Sequence, residues 1–308
     1  MRFAVVDVGT NSVKLHIGER TAANTWETVS DRAVVTRLGE GLDESGVLQA
    51  DPIHRTADAI VDMVEEARRL GVEQIAAVAT AGMRIAQNSA ELIDLVRDRC
   101  GVTIEVISGE DEARLAYLAA TSELDVGEGR LVVFDTGGGS SQFSFGRPGH
   151  VDERFSVDVG AARYTERFGL GGAVPEETLA EARAAIAADL ARLDGRARPD
   201  ALVGMGGANT NLAAVRHHLA EYDAEVVHGT VLDRDELDAQ IELYRSRSAD
   251  ERSTIVGLQP ARAEVILAGA LIVRTVLDKL DCNELTVCDR GLRHGVLVER
   301  FGEFVRSG

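Results

Sequence analysis

The alternation of apolar and polar residues predicts the same order of strands and helices in both halves of the chain. In the first half, the strand pattern covers residues 3–7, 13–19, 26–38, 74–80 and 103–107, and the helical pattern covers 52–70 and 91–100. In the second half, the strand pattern covers 130–135, 141–146, 151–157, 201–205 and 284–288, and the helical pattern covers 175–193, 211–221 and an inserted region from 233 to 277. This order predicts an α/β fold with two like domains, 1–118 and 119–308, and the helical insertion in the second.

A short sequence phrase also occurs twice, 128 residues apart: residues 5–12 read VVDVGTNS, and residues 133–140 read VFDTGGGS. Each copy ends an apolar strand in aspartate, turns through glycine and hydroxyl residues, and enters a second alternating strand. Glycine lets a turn point successive N–H groups into one concavity, which suits phosphate oxygens. The carboxylates of Asp7 and Asp135 are candidate ligands for a divalent cation. The repeat therefore predicts two like domains that bind one phosphate-bearing ligand.

Composition restricts the class of function. The chain has 308 residues and a formal net charge of −18, and no run of lysine or arginine resembles a nucleic-acid-binding arm. We therefore expect no DNA or RNA partner, and a polyanionic ligand must be held by local N–H groups, arginines and a metal ion. The apolar stretch 265–273 is far shorter than the roughly 20 residues of a bilayer span, and the start of the chain lacks a signal-peptide pattern. We expect a cytoplasmic protein without membrane contact.

Cysteines and histidines give little indication of a metal site. Cys100, Cys282 and Cys288 form no CxxC pair and are expected to be reduced, mostly buried thiols. The seven histidines include no HxxxH or HxH pair, and the adjacent His217 and His218 cannot share one helix face. The spacing therefore predicts no site with paired imidazole ligands.

Six motifs together resemble those of the exopolyphosphatase and guanosine pentaphosphate phosphohydrolase family. They are DVGTNS at 7–12, TAGMR at 80–84, ISGEDEAR at 107–114, DTGGGS at 135–140, GMGG at 204–207 and DRGLRHG at 289–295. The resemblance covers essentially the whole chain. It implies two ribonuclease-H-like domains of the actin, Hsp70 and sugar-kinase superfold with an interdomain cleft. Family members often form dimers, which leaves a homodimer open.

The resemblance also implies a set of site residues. Glu112 takes the position of the catalytic general base, and Arg84 that of an arginine which grips phosphate. Candidate phosphate ligands are Gly9, Thr10, Asn11 and Ser12 in the first turn, Gly137, Gly138, Gly139 and Ser140 in the second, and Gly206, Gly207 and Arg262. Asp7, Asp135 and Gln142 are the candidate ligands for Mg²⁺, with Mn²⁺ as a substitute.

Several of these residues have simpler alternative roles. Arg84 can be a surface arginine paired with Glu91, and Arg262 can pair with Glu264 at the start of a helix, 261–277, that Pro260 opens. Glu110 and Asp111 are rivals of Glu112 as the base, although negative charge at a helix N-terminus explains both.

The chain departs from the family pattern at two positions. Gln142 stands where family members carry glutamate, so metal dependence or rate can differ. Asn209 replaces a glycine of the turn near 206–210, where asparagine tolerates a left-handed backbone best among the other residues.

The expected activity is hydrolysis of a phosphoanhydride. Inorganic polyphosphate is the expected substrate, cut at its terminal phosphorus to release orthophosphate, and guanosine pentaphosphate is the runner-up. Long family members carry additional C-terminal helical domains, so the end of this chain at Gly308 favours short substrates. An ATP-dependent kinase of the same fold and a non-hydrolysing sensor of polyphosphate or alarmone are the other classes, and the motif around Glu112 disfavours the kinase.

Overall fold

A computed structural model describes residues 1–10, 12–21 and 25–302 of the chain. The fold divides into two compact units. Unit 1 comprises residues 1–119 and the last helix of the chain, and unit 2 comprises residues 120–291. Each unit contains one β-sheet flanked by helices.

Unit 1 is built on a five-stranded sheet. Its strands are β1 (Arg2–Val8), β2 (Ser12–Arg20), β3 (Trp26–Val35), β4 (Gln74–Ala79) and β5 (Ile104–Val106), in the order β3-β2-β1-β4-β5. The first three are antiparallel, and β4 and β5 run parallel to β1. The helices are α1 (Leu42–Ser45), α2 (Ala50–Arg69), α3 (Ala81–Ile85), α4 (Ser89–Cys100) and α5 (Gly109–Glu123), whose last residues, 120–123, belong to unit 2.

Unit 2 repeats this strand order on a six-stranded sheet. Its strands are β6 (Leu131–Thr136), β7 (Ser141–Arg147), β8 (His150–Val157), β9 (Ala201–Met205), β10 (Val231–Asp233) and β11 (Glu284–Val287), in the order β10-β11-β9-β6-β7-β8. The helices are α6 (Ala161–Phe168), α7 (Glu176–Asp189), α8 (Gly206–Arg216), α9 (Ala224–Val227), α10 (Arg234–Arg245), α11 (Ala249–Arg252) and α12 (Ile266–Lys279). The chain ends its described part with α13 (Leu292–Phe301) in unit 1.

Strand β1 is buried on both faces because helices cover both sides of the unit 1 sheet. Ala4 and Val6 pack in the cluster formed with α2 and α4. Phe3 and Val5 point to the opposite face and pack with α13, where the rings of Phe3 and Phe301 stack at 4.6 Å. Side chains alternate along a strand, so Asp7 belongs to the face of Phe3 and Val5.

The predicted fold class is confirmed, since both sheets have three antiparallel strands followed by two parallel ones, the ribonuclease-H-like order, and the sheet of unit 2 adds the antiparallel edge strand β10. In the structure α13 belongs to unit 1 and packs on β1, whereas the sequence predicted these residues within the domain 119–308. The apolar face of Val296, Leu297 and Phe301 predicts a buried helix, but it does not specify which sheet buries it.

The start of the last inserted helix also differs from the prediction. Pro260 opens a 3₁₀ turn, Pro260–Arg262, and α12 begins only at Ile266. Proline suits the first position of either kind of turn because it lacks an N–H group, so its presence does not distinguish them. Arg262 therefore lies in a short turn rather than at a helix start.

Arg252 fixes the path of the chain around that turn. Its side chain is fully buried, and its guanidinium donates to the carbonyl oxygens of Tyr244 at 2.8 Å, Leu170 at 2.8 Å, Gly172 at 2.6 Å and Ala263 at 3.4 Å. Burial lowers the pKa of this guanidinium. One buried cation thus links the end of α10 to two loops, and Ala263 is the residue next to Arg262.

The three cysteines are buried, as predicted, and none forms a disulfide bond within the described residues. No helix in the described part of the chain has the length and apolar character needed to cross a bilayer.

Candidate active site

The repeated sequence phrase folds into the same turn in both units. The Gly9 N–H donates to the Ser12 carbonyl at 3.0 Å, and the Gly137 N–H donates to the Ser140 carbonyl at 2.9 Å. The strand register is also the same, since Asp7 lies opposite Lys14 and Asp135 lies opposite Gln142. Asn11, a predicted phosphate ligand, lies outside the described residues. The two aspartates therefore occupy equivalent positions in the two sheets.

The glycine turn of unit 2 is oriented by the start of α6. The N–H groups of Ala161 and Ala162 donate to the carbonyls of Gly137 and Gly138, each at 2.9 Å. A trans peptide points its C=O and the following N–H in opposite directions. The N–H groups of Gly138 and Gly139 must therefore point away from α6, and both residues are exposed. This arrangement leaves two backbone donors for an anion, as the predicted phosphate role of Gly137–Ser140 requires.

The turn of unit 1 is tied to α3 through Thr10. Its hydroxyl oxygen accepts the Gly82 N–H at 3.1 Å, and its carbonyl accepts the Gly39 N–H at 2.8 Å. Both glycines are needed for this approach, because a Cβ on Gly82 would lie 2.8 Å from the Thr10 hydroxyl oxygen and one on Gly39 2.2 Å from its methyl carbon. The hydroxyl keeps its own proton to donate. Thr10 thus couples the turn to the helix that carries Arg84.

The two predicted catalytic residues, Arg84 and Glu112, are in direct contact. The Nη1 group of Arg84 donates to Glu112 Oε2 at 2.9 Å and to the Ile107 carbonyl at 3.0 Å. In the described part of the chain, Arg84 pairs with Glu112 and not with its alternative partner Glu91. Their side chains are 28% and 38% exposed, so a ligand in solvent can reach both. The arrangement places a fork of N–H donors beside a carboxylate that can accept a proton.

Asp7 lies in the same electrostatic neighbourhood. Asp7 lies near the end of β1 and is only 9% exposed. Burial raises the pKa of the Asp7 carboxyl, nearby Lys14 and Arg293 oppose that shift, and the negative charge of Glu112 adds to it. A divalent cation would relieve this cost by favouring the ionised carboxylate. The buried oxygen donor of Asp7 therefore fits a hard cation such as Mg²⁺.

In unit 2, Asp135 lies against the start of α8. Gly206 has a φ of +85°, and a Cβ there would lie 2.1 Å from Asp135 Oδ1. Only glycine therefore permits this approach of the helix N-terminus to the carboxylate. The predicted left-handed Asn209 is wrong: this residue is buried within α8, where its side-chain amide donates to the Met205 carbonyl at 2.7 Å.

Arg262 meets the same helix start. A Cβ on Gly207 would lie 2.6 Å from the Arg262 Cζ, so the guanidinium packs directly on the glycine. Glu264, the alternative partner, lies beside Gly171 instead. The structure therefore brings Gly206, Gly207 and Arg262 together, and a helix N-terminus with an adjacent guanidinium attracts anions.

Comparison with known proteins gives the family. A model of the Ppx/GppA phosphatase family matches residues 3–304. The chain belongs to the Ppx/GppA phosphatase family. As a family member it is a hydrolase, and the predicted family and enzyme class are confirmed.

Similar proteins cover the chain almost completely. A Ppx/GppA phosphatase of Aquifex aeolicus has a crystal structure that is 33% identical, with a TM-score of 0.91 over 98% of this chain and 99% of that one. A Mycobacterium tuberculosis protein named exopolyphosphatase 2 is 29% identical over 98% of this chain and 99% of its own length. The bifunctional 3-dehydroquinate synthase/phosphatase of Fusobacterium nucleatum is 28% identical, and the match spans only 46% of that protein.

Gln142 lies opposite Asp135 in the strand register, at the position where the resemblance implies a glutamate in other family members. Its side-chain amide donates to the Ser140 hydroxyl at 2.8 Å and to the Ser156 hydroxyl at 3.4 Å. The amide therefore links the end of the glycine turn to β8. Its remaining oxygen can coordinate a cation but lacks the charge of a glutamate. The metal role predicted for Gln142 remains a prediction.

Sequence reasoning missed Lys14 as a neighbour of the site. The repeat contained the signal, because Lys14 and Gln142 occupy equivalent positions in the two hairpins. Unit 1 thus carries a cation opposite its aspartate, and unit 2 carries an amide. Arg293, which lies in the DRGLRHG motif, donates to Asp31 and to the Leu15 carbonyl.

Proposed function

We propose that this protein is an exopolyphosphatase that removes the terminal phosphate of inorganic polyphosphate with the help of Mg²⁺. The observation that carries the proposal is the contact between Arg84 and Glu112 in a member of a phosphatase family. The name of the M. tuberculosis relative, which matches over nearly its whole length, supports polyphosphate as the substrate.

In the proposed reaction, Glu112 orients a water molecule and accepts one of its protons as the oxygen attacks the terminal phosphorus. The anhydride bond breaks, its electron pair stays on the bridging oxygen, and orthophosphate and a shortened chain leave. Arg84 donates to the terminal phosphate oxygens while it keeps Glu112 in position. Glycine-turn N–H groups and Arg262 hold further phosphates, which offsets the repulsion from a chain of net charge −18.

Asp7 and Asp135 are the candidate ligands for the cation, with Gln142 as a neutral contributor. When bound, Mg²⁺ neutralises phosphate charge and polarises the phosphoryl group. The oxygen donors of these residues suit Mg²⁺. Asp7 is buried, and a bound cation would lower the raised pKa of its carboxyl. Mn²⁺ has similar ligand preferences and is expected to substitute.

Guanosine pentaphosphate is the second candidate substrate, because the same residues can act on any terminal phosphoanhydride. A sensor that binds polyphosphate or alarmone without cutting it is a third candidate, and the missing carboxylate at Gln142 is the observation that favours it. We propose a cytoplasmic location for either activity, without nucleic-acid or membrane partners.

One assay separates these functions. The purified protein is incubated with Mg²⁺ and polyphosphate, guanosine pentaphosphate or ATP, and released orthophosphate is measured, with excess chelator in parallel. We expect the highest kcat/KM on polyphosphate and no release of orthophosphate in excess chelator. Release of orthophosphate only from guanosine pentaphosphate would identify that nucleotide, rather than polyphosphate, as the substrate. Binding of either compound without release of orthophosphate would support the sensor.

Replacing Glu112 tests the base. Glu112→Gln keeps the shape of the side chain but removes its proton affinity, so we expect kcat to fall about 10²–10⁴-fold with little change in substrate binding. Glu110→Gln is the matched control, since it removes a charge from the same first turn of α5 and should keep kcat. If Glu112→Gln retains about a third of the wild-type kcat or more, Glu112 is not the base.

A further inference from the structure

Two buried histidines from opposite ends of the chain meet in unit 1. His16 on β2 is 2% exposed and His294 on α13 is 4% exposed, and their ring centroids lie 4.3 Å apart. Asp31 on β3 lies opposite His16 in the strand register, and its Oδ2 is 3.0 Å from His16 Nδ1. The spacing of histidines along the sequence excluded paired imidazole ligands, and the fold creates such a pair from residues that no local motif connects.

We propose that His16, Asp31 and His294 form a binding site for Zn²⁺ or a similar transition-metal ion. Each residue offers one ligand atom, and these atoms all lie within 4.8 Å of one another. Ligands of one tetrahedral zinc ion at roughly 2.0–2.1 Å are separated by about 3.3 Å. The His16–Asp31 distance is already close to this value, and the His294 nitrogen, within 4.8 Å of the other two ligand atoms, has to move closer to bind the same ion.

The ligand chemistry selects the metal. Two imidazoles and one carboxylate are a common ligand set for zinc and leave a fourth position for water, whereas Mg²⁺ prefers oxygen ligands throughout. The proposed site is therefore distinct in metal type from the Asp7 and Asp135 carboxylates proposed for Mg²⁺.

Arg293 supports the carboxylate from its other side. Its Nη1 donates to Asp31 Oδ1, which leaves Oδ2 directed at His16. Contacts of this kind orient a metal-binding carboxylate. Asp31 is 36% exposed and lies on β3, the edge strand of the sheet, so an ion can enter from solvent at that edge.

The test measures metal binding directly and needs no catalytic readout. The full chain is stripped with chelator, dialysed into buffer with excess Mg²⁺, and titrated with Zn²⁺ by calorimetry and with Co²⁺ by visible absorption. We expect one Zn²⁺ per chain, intense d–d bands of four-coordinate cobalt, and a Zn²⁺-dependent rise in Tm.

His294→Asn and Asp31→Asn should each weaken Zn²⁺ binding at least tenfold and abolish the cobalt bands. His150→Asn is the matched control, because His150 is an exposed histidine 3.3 Å from Asp152 in unit 2, and it should bind like wild type. Thermal unfolding in chelator shows that each variant is folded. Zn²⁺ binding that is absent from the wild type, or equal in all folded variants, would overturn the proposal and leave a purely structural His16–Asp31–Arg293 hydrogen-bonded cluster.

Discussion

At the residue scale, folding buries charged side chains of the candidate site, and burying a charge costs free energy. Asp7 is the clearest case, because burial raises the pKa of its carboxyl above the usual 3.8 although Lys14 and Arg293 oppose the shift. The ionised form of this carboxyl is therefore less favourable in the folded chain than in the unfolded one. We infer that Asp7 serves ligand binding rather than folding.

Asp7→Asn should therefore stabilise the chain at neutral pH in chelator. A carboxyl with a raised folded-state pKa contributes its full stability below pH 3.8 and loses it as the pH rises through the folded-state value. The gain in unfolding free energy should thus shrink between pH 7 and pH 4, measured by urea unfolding. Asp158→Asn, at a carboxylate whose side chain is 86% exposed, controls for removal of one charge. A less stable Asp7→Asn chain at pH 7 would contradict this argument.

Replacing Gln142 with glutamate tests whether the amide at this position changes metal dependence or rate. Gln142→Glu restores a negative charge beside the turn, so we expect a higher rate of phosphate release or half-maximal activity at lower Mg²⁺. The serine hydroxyl that now accepts from the amide can rotate and donate to a carboxylate. Gln142→Met is the control of similar size. Unchanged rate and metal dependence would make position 142 peripheral, and turnover that appears only in Gln142→Glu would identify the wild type as a sensor.

Residues close in sequence were easier to predict than residues that the fold brings together. The Asp-Gly turns were predictable because every residue of the turn lies in one short segment. The partner of Arg84 was not determined by local spacing, which offered Glu91, and only the resemblance pointed to Glu112. His16 and His294 had no local signal at all, since their contact depends on where α13 packs.

At the element scale, the start of α6 sets the geometry of the second glycine turn. Gly160 precedes the helix, and a Cβ there would lie 2.4 Å from the Gly138 carbonyl oxygen. Strand alternation predicted the hairpin, but α6 was missed, and with it the contacts that direct the turn's N–H groups. Sequence patterns predicted the strands of the hairpin. The packing of α6 on the turn determines which backbone N–H groups are free to bind an anion.

Gly160→Ala should consequently impair substrate binding through the turn. Either α6 or the turn has to shift, and because displacement of about 1 Å can cost 10²-fold, we expect kcat/KM on polyphosphate to fall about ten- to hundredfold. Gly172→Ala is the control, since a Cβ there meets no atom within 4 Å. Steady-state kinetics together with Tm distinguishes a displaced turn from unfolding. Wild-type kinetics in Gly160→Ala would show that the turn does not bind substrate.

At the scale of the whole molecule, the chain builds two ribonuclease-H-like units from one repeated plan and then returns to the first. The repeat was visible in the sequence because each strand alternates and each aspartate ends a strand. The packing of α13 on unit 1 was not visible in the sequence, because an apolar helix face can pack on any sheet that has an uncovered side. Close contact fixes it in unit 1, where a Cβ on Gly295 would collide with the Leu115 carbonyl oxygen and Phe301 stacks on Phe3.

Phe301→Ala should therefore loosen unit 1 and spare unit 2. Phe301 is 4% exposed, and truncation of a buried phenylalanine typically costs about 3–5 kcal/mol through lost burial and the cavity it leaves. Amide hydrogen exchange should accelerate in β1, β2 and β4 while residues 120–291 keep their protection. Phe134→Ala is the matched variant in unit 2, where Phe134 is fully buried and its ring stacks on Phe143 at 5.9 Å, and it should show the reverse pattern. Faster exchange in unit 2 alone after Phe301→Ala would contradict the assignment of α13 to unit 1.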